Sequence, residues 1–232
     1  MNGEIQLFLY SYVRYNGCMS RVQVQYPIPD KDCSLCPRLV EYREANRAKF
    51  PDKYNAPVEG FGGMDSELVI VGLAPGLKGA NFSSRPFTGD YAGDLLYATL
   101  IKYGFAKGQY GAHANDGLEL VNCRITNAVK CVPPENKPTT EETKICMETY
   151  LKDELAAMPN LKVILSLGLI SHNAVLKCFG LKLSGFKFGH GARHDLGNGY
   201  VLQDSYHCSR YNTQTGRLTT PMFEDIFEKL GL

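Results

Sequence analysis

Short apolar runs alternate with longer amphipathic stretches along this chain. "ELVIV" (Glu67 to Val71) and "LKVILSLG" (Leu161 to Gly168) are near-continuous apolar runs, as expected of strands buried on both faces. Leu118 to Cys123 and "NGYVLQDS" (Asn198 to Ser205) predict two further strands. After the first run, "GDYAGDLLYATLIKYGF" places Tyr91, Leu95, Leu96, Thr99 and Leu100 at helical spacing. "VEYREANRAK" (Val40 to Lys49) predicts a charged helix. Thr139 and Glu142 fit a capping box that opens a helix running to Ala157. "LISHNAVLKCFG" predicts another helix, ended by glycine, and Thr220 and Pro221 read as the cap and first turn of a C-terminal one. "FPDKYNAPVEGFGG" and "YHCSRYNTQTGRLT" read as loops. Residues 1–32 are tyrosine-rich without a clear period and read as an N-terminal extension packed on a single domain over residues 33–232.

Strands alternating with helices predict an α/β fold with a parallel sheet covered on both faces. Ligands in such folds bind beyond the carboxyl ends of the strands. Three loops fall there: after Val71, after Cys123 and after Asp204.

The chain length of 232 residues suits one domain, and a net charge of +1 argues against a strongly basic nucleic-acid scaffold. A local basic face remains compatible with that total. No apolar run approaches the roughly 20 residues of a membrane span. The first residues carry no basic n-region before a long apolar stretch, so the expectation is a cytoplasmic protein without a signal peptide or membrane partner. Eight cysteines then call for an explanation, because cytosolic thiols rarely form structural disulfides.

The glycine turn "GLAPGLKGANFSSRPFTGD" after Val71 resembles a phosphate loop only superficially. A phosphate-binding NTPase loop would need glycine where Leu77 stands, and Gly72, Gly76 and Gly79 lack the dinucleotide spacing. Glycines that merely solve turn geometry account for the turn, but not for Arg85, Phe87 and Asp90 opening the next helix. Cys33 and Cys36 form a C-x-x-C. Cys131 stands at a loop start and Cys146 on the following predicted helix. Four thiolates suit an iron–sulfur cluster or a zinc ion, and spacing alone does not choose between them. The plainer reading of that set is a redox pair plus buried free cysteines, and Cys18, Cys123 and Cys178 read as ordinary buried residues. His207, at a strand end, suits a hydrogen-bond donor to a developing anion or an ordinary loop cap. Arg210 and Arg217 suit phosphates or plain solvated surface.

Four pieces, in order and with the cysteine set, resemble the uracil-DNA glycosylase superfamily: "GLAPG", "RPFTGDYAGDLLYATL", "ITNAVKC" with its "PPENKP" tail, and "SYHCSRYNTQTGRLT". The likeness is greatest to the iron–sulfur branch and, within it, to the type-b group, often called family 5. It runs from Cys33 to the C-terminal helix. The resemblance implies a three-layer α/β/α sandwich around a four-stranded parallel sheet. It implies a structural [4Fe–4S] cluster on Cys33, Cys36, Cys131 and Cys146, with zinc as the alternative.

It also implies a monomeric enzyme that extrudes uracil from DNA and hydrolyses its glycosidic bond. Hypoxanthine, xanthine and etheno-cytosine are further expected substrates, and DNA containing deaminated bases is the expected partner. The matched motifs hold no lysine for a Schiff base, so the expected enzyme is monofunctional. Phe87 is the expected stacking platform and Asn127 the reader of the base edge. His207 is the expected donor to the base, helped by backbone N–H groups of Leu73, Ala74 and Gly76. Many relatives carry an acidic residue inside the first loop, where this chain has Leu73 and Ala74; the expected replacement is Asp90. Arg210 and Tyr211 are expected wedges in the duplex, and Arg217, Asn81 and Ser83 expected phosphate contacts.

Two departures stand out. Cys208 replaces the family's proline after His207, which predicts a looser loop. Phe82 replaces an arginine, which predicts the loss of a charge beside the pocket. The main rival reading is a non-catalytic iron–sulfur protein that binds damaged DNA.

Overall fold

The computed structural model describes residues 9–15, 18–24 and 26–232, with side chains from Tyr26 onward. Of the extension expected over residues 1–32, residues 1–8, 16, 17 and 25 lie outside the described residues, as does the side chain of Cys18. Strands β1 (Leu9–Tyr15) and β2 (Cys18–Val24) pair antiparallel as a hairpin.

Helix α1 (Pro37–Lys49) starts on a proline, whose fixed φ suits a first turn, and ends with Arg47 and Lys49 against its negative pole. There follow β3 (Phe61–Gly62), β4 (Leu68–Gly72), the short α2 (Ala80–Ser83), α3 (Tyr91–Lys102), the small ribbon β5 (Ala106–Lys107) and β6 (Glu119–Leu120), and β7 (Cys123–Asn127). Next come α4 (Thr140–Cys146), a π-turn over Met147–Leu151 and α5 (Lys152–Ala156), three parts of one helical rod. Strand β8 (Val163–Leu167), α6 (Leu169–Cys178), β9 (Arg193–Gly197), β10 (Tyr200–Ser205), α7 (Arg210–Gln214) and α8 (Thr220–Glu228) complete the chain.

The sheet order is β3-β7-β4-β8-β10-β9. Strands β7, β4, β8 and β10 are mutually parallel, and the edges β3 and β9 are antiparallel. The expected four-stranded parallel sheet is thus the centre of a six-stranded one. On one face, Leu68, Ile70 and Leu165 meet Leu96, Leu100, Phe223 and Phe227 of α3 and α8. On the other, Val69, Val71 and Ile164 meet Leu151 and Leu155 of the rod and Val175 and Leu176 of α6. Each such aliphatic or aromatic side chain contributes ~1.5–3 kcal/mol by leaving water. These two cores make the three-layer α/β/α sandwich.

Three expectations need correction. Of the strand expected over Leu118–Cys123 only Glu119–Leu120 is extended, as β6 of the small ribbon, and the sheet strand β7 begins at Cys123. Asn122 adopts a left-handed φ of 49° and ends the earlier segment, and its side-chain oxygen accepts from the Glu67 N–H at 2.8 Å. Arg124, Thr126 and Asn127 hid β7 from a hydrophobic scan, yet all three are buried. The stretch after Tyr206 is not wholly loop, because Ser209 caps α7 by accepting from the Asn212 N–H at 3.4 Å. Helix α8 is capped by Thr219, not Thr220.

Arg124 is tolerated inside because it belongs to a closed charge network. Its Nε donates to Glu154 Oε1 at 2.8 Å, and Lys130 Nζ donates to Glu154 Oε2 at 2.7 Å. Thr126 Oγ1 donates to Glu154 Oε2 at 2.9 Å and accepts from Lys130 Nζ. Burial alone would raise the Glu154 carboxyl, but Lys130 and Arg124 outweigh it and bring it down to about 2. Among the described residues, no helix is long and apolar enough to cross a membrane.

Candidate functional site

The parallel register of β4 and β7 sets Gly72 beside Asn127 at the strand ends. A methyl group on Gly72 would overlap Asn127 Oδ1 and lie 2.7 Å from Phe87 Cζ. Glycine here is therefore required by the close approach of an amide and an aromatic ring.

Phe87 is buried and holds a left-handed φ of 53°, a conformation that costs a side-chain-bearing residue on the order of 1 kcal/mol or more. The surrounding segment holds it there. Arg85 makes a bidentate pair with Asp116 at 2.7 and 2.6 Å, and its Nε donates to Thr88 Oγ1 at 2.7 Å. The Arg85 guanidinium keeps the Asp116 carboxyl well below its usual range. Tyr97 Oη donates to the Pro86 carbonyl at 2.6 Å. Arg85 is thus an internal brace rather than a surface cation.

Asp90 is the N-cap of α3, with Oδ1 accepting from the Gly93 N–H at 3.2 Å. Its other oxygen faces the glycine turn: a methyl on Gly76 would stand 3.1 Å from Oδ2, and one on Gly79 would overlap it. Burial pushes the Asp90 carboxyl above its usual value, against the opposing pull of the Gly93 and Ala92 amides, with a small upward push from Asp94.

His207 lies two residues beyond the end of β10. Its ring stacks on Phe87 with centroids 5.8 Å apart and planes at 28°. Burial pushes its pKa down to about 4, so the imidazole is neutral at physiological pH. Asn212 Nδ2 holds the His207 carbonyl at 2.8 Å. Cys208 is fully buried and its Sγ donates to the Ala92 carbonyl at 3.4 Å. The looser loop expected from Cys208 is therefore not what the structure has: the thiol ties the loop to α3.

Phe87, Asp90, Asn127 and His207 all line one cavity of about 360 Å³, together with Leu73, Ala74 and Gly76. Asn127 Oδ1 and His207 Nδ1 are buried without a hydrogen-bond partner. Buried polar atoms without partners are costly, so two on one cavity point to a ligand that supplies the missing partners. The backbone N–H groups of Ala74 and Gly76 also have no protein acceptor among the described residues. The site thus offers an aromatic face, an amide edge, an imidazole, free backbone donors and one carboxylate. That set suits a planar heterocycle with a scissile bond near Asp90.

Arg210 lines the same cavity and lies over the Tyr91 ring, 5.3 Å from its centroid. Tyr211 is 70% exposed on α7. Arg217 is exposed over the Tyr206 ring at 4.6 Å. Ser83 is half-buried and its Oγ donates to the Thr88 carbonyl at 2.9 Å. Asn81 is a correction: its side chain is buried and donates to Asn55 Oδ1 at 2.8 Å, so it does not reach a phosphate. Phe82 is another, since it packs against Phe50 with centroids 5.0 Å apart and is not part of the cavity lining.

Tyr91, Asn136 and Ser209 line the cavity without having been singled out for it. Helical spacing put Tyr91 with the core, but as the first residue of α3 it is exposed at the mouth. Its position directly after the Asp90 cap was the available signal.

A second pocket gathers Cys33, Cys36, Cys131 and Cys146, with Leu39 and Tyr150. The Lys130 N–H donates to Cys146 Sγ at 3.2 Å, and Cys33 Sγ lies 3.4 Å from Tyr150 Oη. Burial pushes the thiols of Cys131 and Cys146 up to about 12 and about 11. Cys123 is buried in the core, and Cys178 is half-buried at its edge.

Comparison with known proteins gives a consistent result. Residues 59–231 match the family described as the uracil DNA glycosylase superfamily. A type-5 uracil-DNA glycosylase of Thermus thermophilus is 44% identical over 199 residues, covering 84% of this chain and 90% of that protein. A type-5 uracil-DNA glycosylase of Mycobacterium bovis is 39% identical over 206 residues, 85% of this chain and 76% of that protein. One from Mycobacterium leprae is 39% identical over 202 residues, 84% and 88% of the two chains.

Proposed function

Since the chain belongs to the uracil DNA glycosylase superfamily, we propose that it is a monofunctional glycosylase that extrudes uracil from DNA and hydrolyses its N-glycosyl bond. The observation that carries this reading is the meeting of Asp90, Asn127 and His207 on one cavity with two unpartnered buried polar atoms.

The roles follow from the chemistry. A flipped base stacks on Phe87. The Asn127 amide offers a donor for O4 and an acceptor for N3–H, the pattern of uracil and not of cytosine. Bond cleavage leaves negative charge on the base. Neutral His207 and the backbone N–H groups of Ala74 and Gly76 are donors available to it before the charge develops. Positive charge on the sugar falls to the Asp90 carboxylate, which also orients the attacking water. Among the described residues no lysine lines the cavity, which supports hydrolysis without a Schiff base. The apolar Leu73 and Ala74 add no side-chain test of base identity, which supports a wider range including hypoxanthine, xanthine and etheno-cytosine. Arg210 on the cavity and the exposed Tyr211 that follows it on α7 would enter the duplex, and Arg217 would meet phosphate. The glycosylase unit is residues 33–232, acting as a monomer.

Cys33, Cys36, Cys131 and Cys146 would hold a [4Fe–4S] cluster. Four thiols gathered around one pocket suit a polynuclear cluster or a single zinc ion, and the likeness of the four-cysteine set to the iron–sulfur branch favours the cluster. When bound, the cluster would act as a scaffold joining the start of α1 to the end of α4.

The test is an oligonucleotide panel carrying each deaminated base, followed by alkaline strand scission. Excision of uracil is expected. Binding without an abasic product from any of these bases would overturn the reading and leave a damage-binding protein. Iron and sulfide analysis of the pure protein tests the cluster, and colourless protein with one zinc on these cysteines would replace it.

A further inference from the structure

On the face of the sheet covered by α6, three side chains that the glycosylase reading does not use converge around one carboxylate. His172 (α6), His194 (β9) and Asp204 (β10) bring their ligand atoms within 4.8 Å of one another. His172 Nδ1 lies 2.8 Å from Asp204 Oδ1, and His194 Nε2 lies 3.3 Å from Asp204 Oδ2. Ser166 Oγ donates to Asp204 Oδ1 at 2.8 Å. His172 and Asp204 are fully buried, and His194 is 15% exposed at the sheet edge.

The hydrogen-bond count of His172 does not close with a neutral ring. Nε2 faces the Phe186 carbonyl at 3.0 Å, which only accepts. Nδ1 faces a carboxylate oxygen, which also only accepts. A neutral imidazole has one N–H, so one nitrogen lone pair is left pointing at an oxygen lone pair. A shared proton or a cation on the Asp204 side of the ring closes the count. With the Nε2–H donated to the Phe186 carbonyl, Nδ1 carries its lone pair toward His194 and Asp204, the orientation that a carbonyl partner gives a metal-bound histidine.

We propose that His172 Nδ1, His194 Nε2 and the Asp204 carboxylate form a binding site for a single divalent ion of the zinc type. Two imidazoles and one carboxylate are borderline donors that suit zinc, and four-coordination leaves one position for water or the Ser166 hydroxyl. The ion neutralises Asp204 and satisfies the His172 lone pair in one step. It joins α6 and the edge strand β9 to β10, three residues ahead of His207. Its role is to stiffen the strand end that aims the imidazole, and it takes no part in base excision. The site is separate from the four cysteines.

The test uses the full chain with its native cysteine-bound group in place, stripped of loosely bound metal by a chelator. Zinc chloride is titrated calorimetrically, and crystals are examined by anomalous scattering at the zinc edge. The expected result is one equivalent of zinc, a peak between His172, His194 and Asp204, and a Tm that rises with zinc. His194→Ala, chosen because that ring lies at the sheet edge, should weaken zinc binding by more than the ~10-fold that loss of an outer-shell partner costs. It should leave the iron or zinc on the cysteines unchanged. No zinc uptake between pH 6 and 8, uptake unaffected by His194→Ala, or a peak confined to the cysteines would each overturn the proposal and leave a plain His172–Asp204 hydrogen bond.

Discussion

The Asp90 carboxylate lies directly against the backbone of Gly79, so closely that Oδ2 occupies the space a side chain at Gly79 would need. Gly76 approaches the same oxygen from one turn earlier. The glycine turn is therefore shaped around a carboxylate carried by another element, the N-terminus of α3.

Gly79→Ala should displace Asp90 while leaving the fold intact. A misplacement of about 1 Å in a reacting group costs ~10²-fold in rate. Single-turnover uracil excision should fall by that order, with an unchanged circular dichroism spectrum. Wild-type turnover in this variant would remove Asp90 from the chemistry.

Asp90→Asn separates activity from stability. Asparagine caps a helix as well as aspartate does, so α3 keeps its start. Folding raises the Asp90 pKa, so the folded chain holds its proton more tightly than the unfolded one, and stability is lost as pH rises through that window. At neutral pH the ionised group is a burden that asparagine lifts. The variant should lose ~10²–10⁴-fold in excision rate and melt at the same or a higher temperature. The wild-type rate should fall on the acid side at a pH above that of an ordinary aspartate.

In the proposed base-reading role, Asn127→Asp would replace a donor with a second acceptor opposite O4 of uracil. The ratio of uracil to cytosine excision should drop by ~10²-fold, the order associated with one misplaced hydrogen-bonding group. A substrate panel measures it, and an unchanged ratio would mean that the base edge is read elsewhere.

Glu154 sets an acid limit on the fold. Its carboxyl stands at about 2 in the folded protein against 4.5 for the ordinary group. Its contribution is complete above about 4.5 and disappears as pH falls toward 2. Lys130→Ala should remove most of this acid sensitivity and cost about 3 kcal/mol at neutral pH, because Glu154 then keeps only Arg124 and Thr126. Urea unfolding at pH 7 and pH 3 measures both effects.

The central sheet was legible because β4 and β8 are continuous apolar runs, and the capping box at Thr139 announced its helix. Strand β7 was not, since its polar residues find their partners on α5, far along the chain. The cavity residues Phe87, Asp90, Asn127 and His207 were legible as motifs. Their convergence rests on the β4–β7 register and the Arg85–Asp116 brace, which no local pattern encodes. Asn81 and Phe82 were misplaced for a related reason: their partners, Asn55 and Phe50, come from the loop after α1.

The π-turn at Met147–Leu151 adds a residue between two anchors: Cys146 in the thiol pocket and Glu154 in the charge network. Removing one residue there would give a more regular helix. It would also rotate everything downstream by about 100° and carry Glu154 off its two cations. The irregularity thus keeps two distant attachments in phase, and an insertion or deletion scan through this rod should find its middle less tolerant of change than its exposed face.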